Sequence, residues 1–423
     1  MRTIRLLALT ALAAVLAVFT SASATARTDG ASASRVTITF WHAYAENPAA
    51  PEMQRLTKIV IPHFQKLNPG IKVQQVPFSY GNLQQKLTTS TAGGTLPDLI
   101  RSDLAWVPQY AKLGVFEPLN RRMPDFKKFA NAMFPGTLAT NFYKGNYYGL
   151  PLDTNTRVLM YNRQALTAAG ISSPPATFAD LREAAPKLKA KGTFLFADGG
   201  TGGWNMLPWI WSGGGNLTNA NYTKATGFLN SARSVAAVQL LVDLYKQGAI
   251  PSLITGDQGA TGTENGLADG TYATILDGPW MLPIFAKAHP GFRLSTARVP
   301  AGPGGSISVV GGEDIVLTRS SKNKVAALKF LRFMISPWAQ TQMARAGQLP
   351  VRKDVTKNLL KINPGYAIFL KQLETAKPRT PHPNWPKIDA ALGSAVLSAI
   401  KGDKTVKAAL DDAAREIDGL LRG

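Results

Sequence analysis

The sequence contains no cysteine and only four histidines among its 423 residues. The lack of cysteine excludes disulfides, thiolate catalysis, thiolate metal sites and a lipid-modified N-terminal cysteine. None of the histidines is spaced as a metal-binding pair, and G-x-S-x-G, the phosphate loop and a helix-opening G-x-G-x-x-G are also missing. These absences predict no metal site and no cofactor, and they argue against an enzyme.

Acidic residues are scarce, with 26 Asp and Glu against 47 Lys and Arg and a formal net charge of +21. Such an excess raises the question of nucleic-acid binding. The basic residues are scattered, however, and no basic run of five occurs. This favours a generally basic surface with no nucleic-acid partner, for which attraction to an anionic cell envelope is the functional interpretation.

The apolar run nearest the N-terminus, residues 6–20, is shorter than the roughly 20 residues of a membrane-spanning helix. It follows two arginines and precedes an A-x-A sequence ending at Ala26, the order of a secretory signal peptide. We therefore expect a signal peptide over residues 1–26 and a flexible tether over 27–35. The mature protein is expected to be periplasmic or extracellular and not lipid-anchored.

Strand and helix patterns alternate along the rest of the chain, which predicts an α/β fold. Residues 36–41, 71–76 and 96–100 have strand patterns, and helical spacing lies between them, with Pro62 expected to kink or divide the first helical stretch. The pattern restarts after residue 157. The 397 residues that remain after removal of a signal peptide are too many for one ordinary core, so more than one domain is expected.

The second half contains the same kinds of element. Strands are predicted at Ile307–Val310 and Asp314–Thr318, with an interruption at Gly311-Gly312-Glu313, and helices are predicted at residues 324–335, 337–346, 394–401 and 406–421. Ligands of such sheets bind outside the carboxyl ends of the strands.

Tryptophans lie in glycine-rich segments, where a core position is less expected. Trp204, Trp209 and Trp211 lie in "GGTGGWNMLPWIWSGGGN", and Trp280 lies in "LDGPWML". Flat apolar rings beside carboxylates and amides suit the C–H faces and hydroxyl edges of a sugar. Core packing and ligand contact remain equally open for Trp209 and Trp211, whereas ligand contact is favoured for Trp204 and Trp280.

Ordered segments over almost the whole mature chain resemble one family. They include "VTITFWHAY", "GGTLPDLIRSDLAWVPQYAKLGVFEPL", "YYGLPLDTNTRVLMYN", "VVGGEDIVLTRSSKNKVAALKFLRFMIS" and "PNWPKIDAALGSAVLSAIKG". The chain resembles extracellular solute-binding proteins of carbohydrate ABC importers, the maltose/oligosaccharide-binding family. The resemblance implies a type II periplasmic-binding-protein fold with two lobes, each a mostly parallel sheet flanked by helices, and with a hinge and a central cleft.

The resemblance also implies lobe boundaries and site residues. Lobe 1 is expected at 36–151 plus 309–358 and lobe 2 at 152–308 plus 359–423, with a third crossing near 355–363. The implied ligand-binding residues come from the loops and crossings around the cleft: Glu46, Asp103, Asp153, Asn155, Trp204, Trp280, Gly312, Glu313, Arg352 and Asp389. Several carboxylates with one arginine suit neutral hydroxyls better than an anion.

The expected function is capture of a disaccharide or oligosaccharide, such as an α-glucoside, for delivery by a monomer to an ABC transporter permease. The alternative is a glycerol-3-phosphate or glycerophosphodiester binder, which "FWHAY" and "SYGNLQQKL" resemble. That ligand requires several converging cations. A secreted glycan-active enzyme is an alternative from a different class, and it requires two carboxylates about 5–10 Å apart. A scaffold without a ligand is the remaining alternative.

Overall fold

The computed structural model describes residues 35–45, 47–257 and 259–423. The expected signal peptide and the tether up to residue 34 lie outside the described residues. Twelve strands are found in the described part of the chain. They are β1 Val36–His42, β2 Ile71–Pro77, β3 Leu99–Asp103, β4 Phe142–Tyr143, β5 Asn146–Tyr147, β6 Gly149–Thr156, β7 Val158–Tyr161, β8 Phe194–Ala197, β9 Tyr272–Asp277, β10 Ser295–Ala297, β11 Val309–Leu317 and β12 Lys377–Pro378.

Helices connect and cover these strands, and none that the structure describes combines the length and apolar character needed to cross a membrane. The α-helices are α1 Pro51–Arg55, α2 Ile61–Leu67, α3 Tyr80–Gly93, α4 Val107–Lys112, α5 Leu119–Arg122, α6 Phe126–Ala132, α7 Pro135–Ala139, α8 Arg163–Ala168, α9 Phe178–Lys189, α10 Gly203–Ser212, α11 Ala232–Lys246, α12 Thr263–Asp269, α13 Met281–Ala288, α14 Lys324–Met334, α15 Pro337–Ala344, α16 Lys353–Thr356, α17 Leu359–Ile362, α18 Ala367–Leu373, α19 Trp385–Lys401 and α20 Val406–Arg422.

A π-helical turn, Leu56–Val60, joins α1 to α2. It stands directly before Pro62, which has no backbone N–H to donate to the preceding turn. The wider π turn absorbs that missing hydrogen bond. The division expected at this proline therefore takes the form of three consecutive helical pieces.

The first sheet has the order β12-β11-β3-β1-β2, and β6 pairs with β11 as well. Strands β2 and β3 run parallel to β1, whereas β11 runs antiparallel to both β3 and β6. The interruption expected at Gly311–Glu313 is wrong, because β11 is one continuous strand with a register shift between Glu313 and Asp314. Gly312 has a φ of +136°, a conformation open to glycine, and this lets the strand continue.

The second sheet has the order β10-β7-β9-β8. Only β8 and β9 pair in parallel, and β7 runs antiparallel to both of its neighbours, so this sheet is mixed rather than mostly parallel. A single residue, Arg157, separates β6 of the first sheet from β7 of the second. The polar segment of β6 thus lies where the chain passes from one sheet to the other.

Two of the tryptophans belong to the core. Trp209 is 1% exposed, and its ring centroid lies 5.0 Å from that of Phe196. Trp211 is also buried. Both lie on helix α10, as does Trp204, so the glycine-rich loop expected around Trp204 is in fact the first turn of a helix.

Candidate functional site

A cleft of about 1000 Å³ lies at the carboxyl ends of β1 and β3. The lining includes residues at or just after the ends of strands in the first sheet. It also includes residues of α10 and of the turn that follows β9 of the second sheet. Seven of the ten residues implied by the sequence line it: Asp103, Asn155, Trp204, Trp280, Gly312, Glu313 and Asp389. The structure therefore brings together residues separated by almost 300 positions in the chain.

Three acidic residues lie side by side across neighbouring strands. Glu313 of β11 pairs in register with Asp103 of β3 on one side and with Asp153 of β6 on the other. Adjacent like charges destabilise a sheet, the more so when water is excluded. All three side chains are largely buried, so the row requires nearby positive charge.

Arg101 supplies that charge to two of them. Its Nη2 atom lies 3.1 Å from Asp153 Oδ2 and 2.6 Å from Glu313 Oε2, and it also donates to Gln348 Oε1 at 3.1 Å. Burial by itself lowers the pKa of this guanidinium, but the carboxylates of Asp153 and Glu313 raise it overall. Burial, with Asp153 beside it, raises the pKa of Glu313 against the opposing effect of Arg101.

Arg379 supplies charge to the third acid. Its Nη2 atom donates to both carboxylate oxygens of Asp103, at 2.8 and 2.9 Å. Asp103 also accepts from the Tyr80 hydroxyl at 2.9 Å and from the Ala105 N–H at 2.7 Å. Asp103 is thus held rigidly, with most of its acceptor capacity used within the protein.

Two indole rings form one wall of the cleft. The ring centroids of Trp204 and Trp280 lie 6.2 Å apart with an interplanar angle of 29°. The guanidinium carbons of Arg157 and Arg379 lie 5.7 and 5.9 Å from the Trp204 ring centroid. Arg157 also donates to the Trp204 carbonyl oxygen at 3.2 Å and pairs with Asp198 at 3.0 Å, which fixes the start of α10.

Several buried polar atoms of the cleft have no hydrogen-bond partner among the described residues. They are the acceptors Asn155 Oδ1, Gln109 Oε1 and Glu52 Oε2 and the donor Arg379 Nε. An unsatisfied buried polar group costs free energy unless a ligand or water completes it. These atoms are suited to a ligand that carries both hydrogen-bond donors and acceptors.

The described residues contain no cluster of His, Asp and Glu that could hold a metal ion. The groups that the cleft does present are hydrogen-bonding atoms, indole rings and paired charges.

The profile of the family described as "Bacterial extracellular solute-binding protein" matches residues 60–366, which is most of the chain. The chain belongs to this family. A binding protein of Brucella abortus is 28% identical over 367 residues, covering 85% of this solute-binding protein and 88% of the relative. The sn-glycerol-3-phosphate-binding periplasmic protein of Escherichia coli is 26% identical over 432 residues, with coverage of 91% and 92%.

Solved structures share the fold of this solute-binding protein. The GacH receptor of Streptomyces glaucescens, solved unliganded and with acarbose, superimposes with a TM-score of 0.83 at 24% identity and covers 92% and 99% of the two chains. An ABC transporter solute-binding protein of Thermotoga lettingae bound with α-D-tagatose gives 0.81 at 26% identity, with coverage of 91% and 100%. The two-lobe fold implied by the sequence is confirmed.

Two of the described residues implied by the sequence do not line the cleft of the solute-binding protein. Arg352 lies outside it, because its guanidinium donates to Asp354 at 2.7 and 2.9 Å and to the Ile335 carbonyl oxygen. Its assignment to the cleft is wrong. Asp153 does not line the cleft itself, but it pairs with Arg101, which does. Glu46 lies outside the described residues.

Asp389 lines the cleft, but one of its oxygens is already engaged. Asp389 Oδ1 accepts the Gly203 N–H at 2.6 Å, at the start of α10. Burial raises the pKa of this carboxyl, and the Gly203 hydrogen bond opposes the rise. The residue therefore fixes the helix that carries Trp204 as well as facing the ligand space.

Sequence reasoning missed the two arginines that neutralise the acid row. Arg101 and Arg379 lie in otherwise ordinary segments, "LIRSD" and "KPRTP". One signal was available for Arg101: a charged residue that directly follows the predicted buried strand at 96–100 requires a partner if the strand continues into it. No comparable signal marks Arg379.

Proposed function

We propose that the protein captures a neutral disaccharide or oligosaccharide, such as an α-glucoside, in this cleft and delivers it to an ABC transporter permease. The observation that carries the proposal is the wall formed by Trp204 and Trp280, which faces buried hydrogen-bonding groups whose charges are compensated. Indole faces contact the C–H faces of a sugar, and the unpartnered amide and carboxyl atoms accept from or donate to its hydroxyls. The neighbour bound with α-D-tagatose, a monosaccharide, supports a neutral sugar as the ligand.

Charge pairing favours a neutral ligand over an anion. The cleft has more than the one arginine expected, but Arg101 and Arg379 are both committed to carboxylates. Among the lining residues that the structure describes, Lys387 is the one cation without an acidic partner, and it is exposed at the rim. Drawing an arginine toward a phosphate would leave a buried carboxylate without its partner, which is costly.

Glycerol 3-phosphate or a glycerophosphodiester is the second candidate. The observation that favours it is the buried Nε atom of Arg379, a charged donor with no partner among the described residues. The 26% identical Escherichia coli relative, which is named for binding sn-glycerol 3-phosphate, also supports it. The thermal-shift screen described below decides between the two ligand classes.

The proposal includes how the molecule works as a whole. Lobe 1 would comprise residues 36–151 plus 309–358 and lobe 2 residues 152–308 plus 359–423, with a third crossing near 355–363, and sugar would close the lobes about this hinge. The protein would be exported by a signal peptide at 1–26 and act as a monomer without a lipid anchor or nucleic-acid partner. Multi-angle light scattering of the secreted protein tests whether it is a monomer. Mass spectrometry tests whether the signal peptide is removed and whether a lipid is attached.

A thermal-shift screen tests the ligand class directly. Neutral sugars from monosaccharides to tetrasaccharides are compared with sn-glycerol 3-phosphate and glycerophosphodiesters. A ligand present at 100 times its Kd adds about 2.7 kcal/mol to the free energy of unfolding, which gives a clear rise in Tm. We expect the rise with an oligosaccharide. A rise with glycerol phosphates alone would replace the proposal by the second candidate.

We also propose that the cleft does not turn over its ligand. The family is one of solute-binding proteins. The carboxylates of Asp103, Asp153 and Glu313 form ion pairs with arginines and lie side by side, rather than on opposite sides of a bond to be cleaved. Incubation with the sugar that binds best should return only starting material by mass spectrometry. A product that forms only with the protein would support the glycan-active enzyme instead.

A further inference from the structure

A second groove, of about 910 Å³, lies at the opposite end of the first sheet from the cleft. It is lined by the first residues of β1 and β2, the turn between α2 and β2, and the start of α14. Because the cleft lies at the carboxyl ends of β1 and β3, a molecule bound in this groove at the amino ends would not block the cleft. The proposed sugar site does not explain it.

The groove is strongly basic. Its lining contains no acidic residue and five cations: Arg122, Arg319, Lys322, Lys324 and Lys329. Lys324 lies 3.4 Å from Glu117 and donates to the Arg319 carbonyl oxygen. The other four cationic side chains have no acidic partner in the described part of the chain. Their mutual repulsion is relieved when an anion enters the groove.

Aliphatic side chains are exposed at the same place. Val325 is 76% exposed, Leu67 61% and Val36 40%. They are three of the ten large apolar residues that are exposed in the part of the chain that the structure describes, and all three line this groove. Exposed apolar side chains gathered on one surface mark an interaction site.

We infer that this basic groove binds the headgroups of anionic phospholipids at a membrane surface. Lysines and arginines attract the negative lipid surface, and neighbouring aliphatic side chains enter the boundary between headgroups and acyl chains. A soluble polyanion would satisfy the cations but leave Val325, Leu67 and Val36 in water. The lipid explains both features of the surface.

The consequence is reversible retention near the membrane. The sequence has no cysteine that could carry a lipid for this purpose. Next to the groove, Arg35 Nε donates to the carbonyl oxygen of Pro69, one of the lining residues, at 2.8 Å. A contact made by a few cations and aliphatic groups holds the protein weakly, so it leaves the protein free to exchange with a permease.

The test is co-sedimentation of the exported protein with vesicles of phosphatidylglycerol and phosphatidylcholine in equal parts. One basic residue at an anionic bilayer contributes about fivefold to binding, so the triple variant Arg319→Gln, Lys322→Gln, Lys329→Gln should bind roughly 100-fold more weakly. The matched control, Lys191→Gln, Lys246→Gln, Lys401→Gln, removes the same charge from exposed sites elsewhere. The control should stay within about twofold of the unaltered protein.

A second pair of variants tests the apolar contribution. Val325→Ser should weaken vesicle binding severalfold, whereas Leu360→Ser, at another exposed aliphatic residue, should not. Circular dichroism and Tm confirm that all four variants are folded. Equal losses in the two triple variants would show that net charge acts without the groove and would overturn the inference.

Two further results would also contradict lipid binding. Equal binding to vesicles of phosphatidylcholine alone is one of them. Unchanged binding of Val325→Ser, together with displacement from vesicles by soluble polyphosphate, would identify a polyanion as the occupant instead.

Discussion

Two buried arginines determine what the cleft can bind. Arg101 and Arg379 compensate a row of three carboxylates that neighbouring strands place side by side. Paired in this way, the row is rigid and close to neutral overall. A neutral ligand completes the remaining hydrogen bonds without disturbing these pairs, and for this reason the residue-scale account favours a sugar.

The first prediction concerns the indole wall. Trp280→Ala and Trp204→Ala should each weaken sugar binding by about 1–3 kcal/mol, or roughly 5- to 150-fold in Kd, because each removes a ring that covers the apolar face of the ligand. Isothermal titration calorimetry measures the loss. Stability should change little, since both rings are only partly buried.

Trp209→Ala is the contrasting variant, because it removes a tryptophan that lies on the same helix as Trp204 but packs in the core. Trp209 is fully buried against Phe196 and Phe178, so its removal should cost about 3–5 kcal/mol of unfolding free energy. An unchanged Kd for both Trp280→Ala and Trp204→Ala would show that these rings do not contact the ligand.

A second prediction concerns Glu52, which lines the cleft and is 2% exposed. Burial raises its pKa from 4.5 to about 7, opposed by its own backbone N–H and by Arg101. The folded state therefore holds the proton more tightly than the unfolded state. The resulting stability is fully present below pH 4.5 and is lost as the pH rises through 7.

Glu52→Gln removes this pH dependence. The variant should equal the unaltered protein near pH 4.5 and exceed it at pH 8 by up to about 3 kcal/mol, at about 1.4 kcal/mol for each unit of pKa shift. Urea unfolding at the two pH values measures the difference. The assignment is wrong if the difference between the two proteins is the same at both values.

The paired strands β6 and β11 carry the site at the scale of elements. Gly311 lies opposite Asn155 in this pairing. A Cβ atom on Gly311 would collide with Asn155 Oδ1 and would lie 2.6 Å from the Trp204 ring. The absence of a side chain here allows the strand, the amide and the indole to approach one another.

Gly311→Ala should therefore displace two cleft residues. We predict a roughly tenfold or greater loss of sugar affinity and a loss of about 1–3 kcal/mol in stability, the usual cost of overpacking. Gly136→Ala is the control, since a Cβ there meets open space. Calorimetry and thermal unfolding measure both variants, and retention of full affinity by Gly311→Ala would refute the close approach.

The elements could be predicted where periodicity is strong. Helices at 324–335 and 406–421 agree with α14 and α20 to within a residue or two. The helix predicted at 394–401 begins earlier in the structure, at Trp385. Pro386 interrupts the helical pattern in the sequence, but a proline is tolerated in the first turn of a helix. Gly311-Gly312 was expected to break a strand, and the partners β3 and β6 hold it together.

The site could be predicted only in part. Trp204 and Trp280 are predicted from their glycine-rich segments and Asp103 from the family resemblance, and the structure places all three at the cleft. Arg101 and Arg379 were missed because their role depends on strand neighbours that are distant in sequence. Arg352 was assigned to the cleft from the family resemblance, whereas its guanidinium pairs with Asp354, two residues away.

Closure of two lobes is the claim at the scale of the whole molecule. The cleft takes contacts from both sheets, so a bound sugar favours the state in which both sets are engaged. Small-angle scattering should show a smaller radius of gyration with saturating sugar than without it. An identical scattering curve with a tightly bound sugar would rule out hinge closure while leaving binding intact.

Calorimetric titration decides whether the cleft binds a neutral sugar. The sugar that raises Tm most in the screen and sn-glycerol 3-phosphate are titrated into the protein at low and at high salt. We predict saturable heat with the sugar, a Kd that salt leaves nearly unchanged because the ligand has no charge, and weak or no binding of the phosphate. Tight, salt-sensitive binding of glycerol phosphate with no heat from any sugar would contradict it.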